Sequence, residues 1–148
     1  MEFFLKPIGI IHTPVSKRFE APIRFSRSVA CGAIEIFPEF ESGLDGIEEM
    51  SHLMLFYVFH DALNCRKLLV KPFLDDKPRG ASAARFYRRP NPIGFSIARL
   101  LQRNGPRLKI QSVDTMDGTP LLDIKPYVPE FDVCEVDKLG WYANRAHS

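Results

Sequence analysis

Two short strings concentrate the reactive side chains of this sequence. One is Arg88-Arg89-Pro90-Asn91-Pro92-Ile93-Gly94, with Arg85 just ahead of it; the other is Asp117-Gly118-Thr119-Pro120, approached through Thr115 and Met116. Arg85 carries a planar fork of donors that can clamp a carboxylate in two parallel bonds, and it suits an interface ion pair equally well. Asp117 can accept from amino or hydroxyl groups while Gly118 lets a ligand approach the backbone, although Asp-Gly is first of all a hairpin-turn signal. His60-Asp61 follows the apolar run 53–59, so backbone groups freed at a strand end and an imidazole meet there. Asp123 and Lys125, two apart, fall on one face of a strand. Asp117, Asp123 and His60 are the candidate proton acceptors, and the residues leave the choice among them open. Phe95 and Ile93 can flank a flat ring or belong to a core. No pairing of a nucleophile with a base is visible among these residues.

These residues need elements to hold them. Pro90 and Pro92 remove two backbone donors and keep Arg89 and Asn91 out of the helical region, so the first string is a loop. Residues 95–113 read as two strands around Asn104-Gly105-Pro106, which hangs both polar loops on one hairpin. Further strands are expected at 4–12, 29–36, 51–60, 80–86 and 121–124, with 63–71 a strand or extended arm, 127–132 extended, and turns or short helices at 38–43 and 44–50. The run 53–59 is continuous and aromatic, which predicts a strand covered on both faces. A polar, basic loop over 16–27 contains Pro22. Six or seven short strands punctuated by Pro and Gly, with no long amphipathic helix, predict an all-β fold, an antiparallel barrel or sandwich with short helices. The domain is expected over 1–137, followed by a C-terminal tail over 138–148 in which Trp141 and Tyr142 are possible anchors.

The 148 residues, 45% hydrophobic and 26% charged, are ordinary for one globular domain. Three widely spaced cysteines and no Cys-x-x-Cys argue against a zinc site or a disulfide framework. The longest apolar run is far short of a membrane span, and Met1-Glu2-Phe3-Phe4 shows no basic leader, so a cytoplasmic protein with no membrane and no metal is expected. No Gly-x-Gly-x-x-Gly or Gly-x-x-x-x-Gly-Lys fingerprint is present. Charge is unevenly placed: residues 77–109 hold nine basic side chains and no acid, leaving eleven basic against eighteen acidic residues elsewhere. A basic block of this kind can meet a polyanion, or pair with the acidic stretch 31–60. Arg88, Arg89 and Arg103 are candidate phosphate contacts, and Tyr87 can stack on an unpaired base.

Four strings carry a resemblance to a known family: Ile8-Gly9-Ile10-Ile11, Ser51-His52 before an aromatic strand, Arg89-Pro90-Asn91-Pro92-Ile93-Gly94-Phe95-Ser96, and Asp117-Gly118-Thr119-Pro120-Leu121-Leu122-Asp123-Ile124-Lys125-Pro126-Tyr127. Over about residues 5 to 135 the chain resembles the TsaA-like (YaeB-like) family, which includes TrmO-type tRNA methyltransferases. The resemblance implies a small antiparallel β-barrel that binds S-adenosylmethionine without a Rossmann fold, a homodimer with the cofactor near its interface, and N6-methylation of a threonylcarbamoyl-modified adenosine beside the tRNA anticodon. It places the cofactor among Pro22, Ile23, Arg24, His60, Asp61, Arg85, Phe95, Thr115, Met116, Asp117 and Gly118, and tRNA on the basic block. Where the family usually has Pro-Arg-Gln, this chain has Pro22-Ile23-Arg24. Two other classes stand beside this one: a module that binds the cofactor without turnover, and an RNA-binding barrel with no cofactor.

Overall fold

A computed structural model describes residues 1–16, 30–72, 77–111 and 113–144. The barrel strands are β1 (Gly9–His12), β2 (Cys31–Ile36), β3 (His52–Val58), β6 (Ile93–Asn104), β7 (Arg107–Gln111) and β8 (Thr119–Pro126). They close into an all-antiparallel six-stranded barrel in the order β1-β2-β7-β6-β3-β8, as the sequence pattern leads one to expect. A separate ribbon pairs β4 (Leu69–Val70) with β5 (Arg79–Gly80). Short 3-10 helices at Pro38–Leu44 and Ile47–Glu49 close the other end of the barrel.

Period-two alternation builds the core. Leu53, Leu55 and Tyr57 point inward from β3, Ile34 and Ile36 from β2, and Leu108 and Ile110 from β7, all buried against Ile11, Ala98 and Leu121. The outward residues of β3 (His52, Met54, Phe56 and Val58) are only half covered, so the strand is not buried on both faces as its continuous apolar run predicts. Its outer face is aromatic because Phe56 pairs with Phe95 across the ladder, ring centres 5.3 Å apart. Inside, Tyr57 and Ser96 share a hydrogen bond of 2.7 Å between buried hydroxyls, which satisfies both in an otherwise apolar interior.

Gly94 opens β6 for a steric reason: a Cβ there would lie 2.2 Å from Cε2 of Tyr57. The β6–β7 hairpin turns at Gly105, whose φ is +58°. At Leu101 the β6–β7 register shifts, and the bulge reverses the inward–outward alternation for the rest of the strand.

Four further expectations are corrected. The first strand begins at Gly9 rather than residue 4. The arm over 63–71 and the segment 80–86 yield only the two short strands of the ribbon, followed by a 3-10 turn at Ala81–Ala83. Residues expected to run extended form a one-turn helix, α1 (Pro129–Asp132): Pro129 takes the first helical position, where its missing N–H costs nothing, and Asp132 Oδ2 accepts from the Val128 amide. Finally, Asp117-Gly118 is not a hairpin turn, because β7 and β8 are not neighbours in the barrel.

Candidate functional site

Strand direction brings the candidate residues together. With every neighbour antiparallel, β1, β3 and β7 end, and β2, β6 and β8 begin, at the same mouth of the barrel. The connections 13–30, 59–92 and 112–118 therefore share one rim. Arg85, His60, Asp61, Thr115, Met116, Asp117 and Gly118 lie in those connections, and Phe95 lies near the start of β6. Pro22, Ile23 and Arg24 lie outside the described residues.

One side of the rim is sewn to the end of β1. The Asp117 amide donates to the Val15 carbonyl at 2.7 Å and the Gly118 amide to Ile11 at 2.9 Å, with Gly118 at φ +81°. The Thr13 amide in turn donates to Asp117 Oδ1 at 3.0 Å, and the Thr13 hydroxyl to the Thr115 carbonyl at 2.7 Å. The Thr119 hydroxyl donates to the Met116 carbonyl at 2.6 Å. These bonds occupy one carboxylate oxygen of Asp117 and fix its direction. Thr115 is buried, yet its hydroxyl has no hydrogen-bond partner among the described residues.

His12 stands beside this loop and was not singled out from sequence. Its Nε2 lies 2.9 Å from Glu35 Oε2, and its Nδ1 3.6 Å from Asp117 Oδ1. The ring thus spans two carboxylates on different elements. Its position directly before Thr13-Pro14, at the end of an apolar strand, was the available signal.

The other side of the rim is the long connection 59–92. The Phe59 amide donates to the Pro92 carbonyl at 2.8 Å, which ties the end of β3 to the Pro90-Asn91-Pro92 turn. Next to it, His60 Nδ1 is buried without a hydrogen-bond partner among the described residues. The Arg85 guanidinium carbon sits 5.9 Å from the centre of the Phe95 ring, a cation–π arrangement that holds the fork over the barrel's outer wall. A run of rings continues from the core to the surface: Tyr57 against Phe59 at 5.6 Å, Phe59 against Tyr87 at 6.2 Å, and Tyr87 against Phe86 at 4.5 Å. Arg88 lies over Tyr87 at 5.3 Å.

This arm is held by the C-terminal turn Gly140–Asn144. Trp141 Nε1 donates to the Ala83 carbonyl at 2.8 Å, and the Arg85 amide donates to the Tyr142 hydroxyl at 2.9 Å. Trp141 also joins Phe86 over a small satellite core of Val70, Ala81 and Ala84. Both aromatic residues are therefore anchors, and Tyr142 touches the backbone of a candidate site residue.

Of the remaining candidates, Arg103 and Asp123 stand apart from the mouth, while Arg89 lies in the rim connection 59–92 and is engaged there. Arg89 is turned inward, with Nη1 donating to the carbonyls of Ala84 and Phe86 at 2.8 and 3.2 Å. Arg103 is at the far end of β6. The Leu101 bulge tucks it under the barrel, where it donates to the carbonyls of Leu44 and Gly105 and to Glu48 Oε2 at 3.0 Å. A backbone hydrogen bond, with Arg103 beside it, holds the Glu48 carboxyl below its ordinary value. Asp123 is mid-strand on the outer face opposite Phe56, with its Oδ2 3.3 Å from Lys125 Nζ. Among the described residues no helix is long and apolar enough to cross a membrane, and no group of three His, Cys, Asp or Glu side chains is placed to hold a metal ion.

Residues 10–133 match the family of the tRNA-methyltransferase O N-terminal domain. The chain is 50% identical over 143 residues to a probable S-adenosyl-L-methionine-binding protein of Pyrococcus abyssi, covering 96% of this chain and 77% of that protein. It is 36% identical to the tRNA (adenine(37)-N6)-methyltransferase of Mus musculus, covering 86% of this chain and 31% of the mouse protein. The crystal structure of TrmO from Pseudomonas aeruginosa superposes with a TM-score of 0.79 at 35% identity, over 95% of this chain and 62% of that one. The chain thus spans less than two thirds of the solved chain and about a third of the mouse enzyme.

Proposed function

The chain belongs to the family of tRNA-methyltransferase O N-terminal domains, and from that membership we propose that it is an S-adenosylmethionine-dependent methyltransferase acting on N6 of the adenosine beside the tRNA anticodon, with the threonylcarbamoyl-modified base as acceptor. The observation that carries the reading is the pair of buried polar atoms, Thr115 Oγ1 and His60 Nδ1, unpartnered among the described residues and on one rim with Arg85 and Asp117. A buried polar atom left without a partner costs about 1–3 kcal/mol, so two at one mouth fit a polar ligand that completes them. Arg85 suits the carboxylate of the cofactor's amino acid end, and the oxygens of Asp117 suit its amino or ribose groups.

When bound, the cofactor supplies an electrophilic methyl group on a sulfonium centre. The protein's part is to align the acceptor and to exclude water around it. N6 of the modified adenosine is amide-like and must lose its proton. Asp117 and His60 stand at the mouth to take it, whereas Asp123 is engaged with Lys125 on the outer wall. Tyr87, backed by Arg88, presents a ring on which the target or a neighbouring base can stack. The reading includes a homodimer, supported by large apolar side chains left open to solvent at Phe3, Phe4 and Phe131, and a cytoplasmic setting, where tRNA is modified.

Incubating the protein with methyl-labelled S-adenosylmethionine and total tRNA, then digesting to nucleosides, tests the reading. Label on adenosine is expected. Micromolar cofactor binding in calorimetry with no label on any nucleoside would move the chain to the class of binding modules, and absence of both would end the methyltransferase reading.

A further inference from the structure

The outer wall of the barrel carries a second feature that the rim does not use. Between β2, β7 and β6 runs an open trough of about 290 Å3, lined by Cys31, Gly32, Ala33, Gln102, Asn104, Arg107 and Lys109. Its form follows from the strand registers. Ala33 pairs with Lys109 and Glu35 with Arg107 on one side; Gln102 pairs with Lys109 and Asn104 with Arg107 on the other. The small side chains of β2 leave the floor open, while the long ones of β7 and β6 make the walls. The Leu101 bulge is what puts Gln102 on this face. Without it, the alternation that turns Ser96, Ala98 and Leu100 inward would turn Gln102 inward as well.

The trough is electropositive. Arg107 and Lys109 are exposed, two residues apart on one face of β7, hence about 6.5–7 Å along the strand. Arg99, exposed on β6 beside Gln111, adds a third cation one row nearer the mouth. None of these three forms an ion pair with another described residue. The single acid in these rows, Glu35, directs its carboxylate to His12. The trough also leads to the candidate site: β7 runs through Gln111 directly into the loop that carries Asp117, and Ala33 pairs with His12, the neighbour of Asp117.

Building on the tRNA methyltransferase reading, we propose that this trough binds the phosphodiester backbone of the RNA substrate. Arg107 and Lys109 meet successive phosphates, and the amides of Gln102 and Asn104 donate from the facing wall. Regularly spaced cations flanked by amide donors, with no aromatic ring and no slot for a base, suit contacts that fix register without reading sequence. The anticodon arm is thereby laid along the barrel wall, with the loop at its end directed to the mouth.

The test is tRNA binding by fluorescence anisotropy across a KCl series, using total tRNA, with wild type and the double variant Arg107→Gln/Lys109→Gln. Each phosphate contact contributes about 0.7–0.9 to the slope of log affinity against log salt. The double variant is expected to lose at least tenfold in affinity at ~0.1 M KCl and to flatten that slope by about 1.5. Its cofactor affinity in calorimetry should match wild type, and Lys109→Arg should bind tRNA as wild type does. An unchanged slope in a variant of a protein that methylates tRNA overturns the trough alone. A wild type that neither binds nor methylates tRNA overturns both readings. If the double variant instead shifts from dimer to monomer in sedimentation with its salt slope intact, the trough is a protein interface and the proposal fails.

Discussion

Replacing Gly94 by Ala tests the link between the barrel core and the rim. The added Cβ would sit 2.2 Å from Cε2 of Tyr57 and 2.8 Å from Cδ2 and Cζ. Ordinary carbon contacts are about 3.5–4.0 Å, so the ring must retreat by roughly 1.5 Å. It has little room, since Tyr57 is 5% exposed and its hydroxyl is held 2.7 Å from Ser96, itself 1% exposed. Overpacking of this kind costs about 1–3 kcal/mol. Breaking the buried hydroxyl pair adds about 1–2 kcal/mol. The sum, ~2–5 kcal/mol, corresponds to a fall in Tm of roughly 5–15 °C for a chain of this length. Thermal unfolding followed by circular dichroism measures it, and a double-mutant cycle isolates the cause. Tyr57→Leu removes the obstructing ring, so Gly94→Ala should cost little in that background. A Tm for Gly94→Ala within ~2 °C of wild type, or penalties that simply add in the double variant, would refute the reasoning.

Three other perturbations have directions set by the structure. Arg85→Ala should weaken S-adenosylmethionine binding more than tenfold in calorimetry, the loss expected when a charge-assisted clamp is removed; unchanged affinity takes Arg85 out of the site. Tyr142→Phe removes the acceptor of the Arg85 amide proton, so it should weaken the cofactor a few-fold and lower Tm by about 2–4 °C, without affecting the tRNA salt slope. Glu48 is held below its ordinary value in the fold, so its contribution to stability is present above the unfolded value and is lost as pH falls through the folded one. Urea denaturation of wild type and Glu48→Gln should therefore differ at neutral pH and converge in acid; a difference that persists or grows in acid would contradict the Glu48–Arg103 account.

Much of the barrel was legible because alternation is a local signal. Ala33-Ile34-Glu35-Ile36 alternates and places β2, the continuous apolar run 53–59 places β3 though not its covered face, and Asn104-Gly105-Pro106 marks the hairpin that follows β6. What the sequence could not carry was partnership. Asp117-Gly118 has the local chemistry of a hairpin turn, but its amides go to Val15 and Ile11, a hundred residues away in the chain. The fate of Arg103 depends on a one-residue bulge at Leu101, which reverses the face of everything after it and turns a surface cation into a brace for Leu44 and Glu48. The same bulge places Gln102 on the trough, so neither its walls nor the grouping of Arg107 with Lys109 and Asn104 could be read from spacing alone. His12 was passed over because a single histidine at the end of a strand has no local mark of the two carboxylates that flank it. Arg85, His60 and Asp117-Gly118 were named from their types and setting, and the antiparallel closure of the strands brings them to one mouth.

Methyl transfer to the modified adenosine is read by offering the protein two matched tRNA pools, with and without the threonylcarbamoyl group, together with isotopically labelled S-adenosylmethionine. Nucleoside mass spectrometry then locates the label. Label is expected on threonylcarbamoyladenosine alone. Label on unmodified adenosine to the same extent, or none in either pool from protein that binds the cofactor, would contradict the proposed reaction.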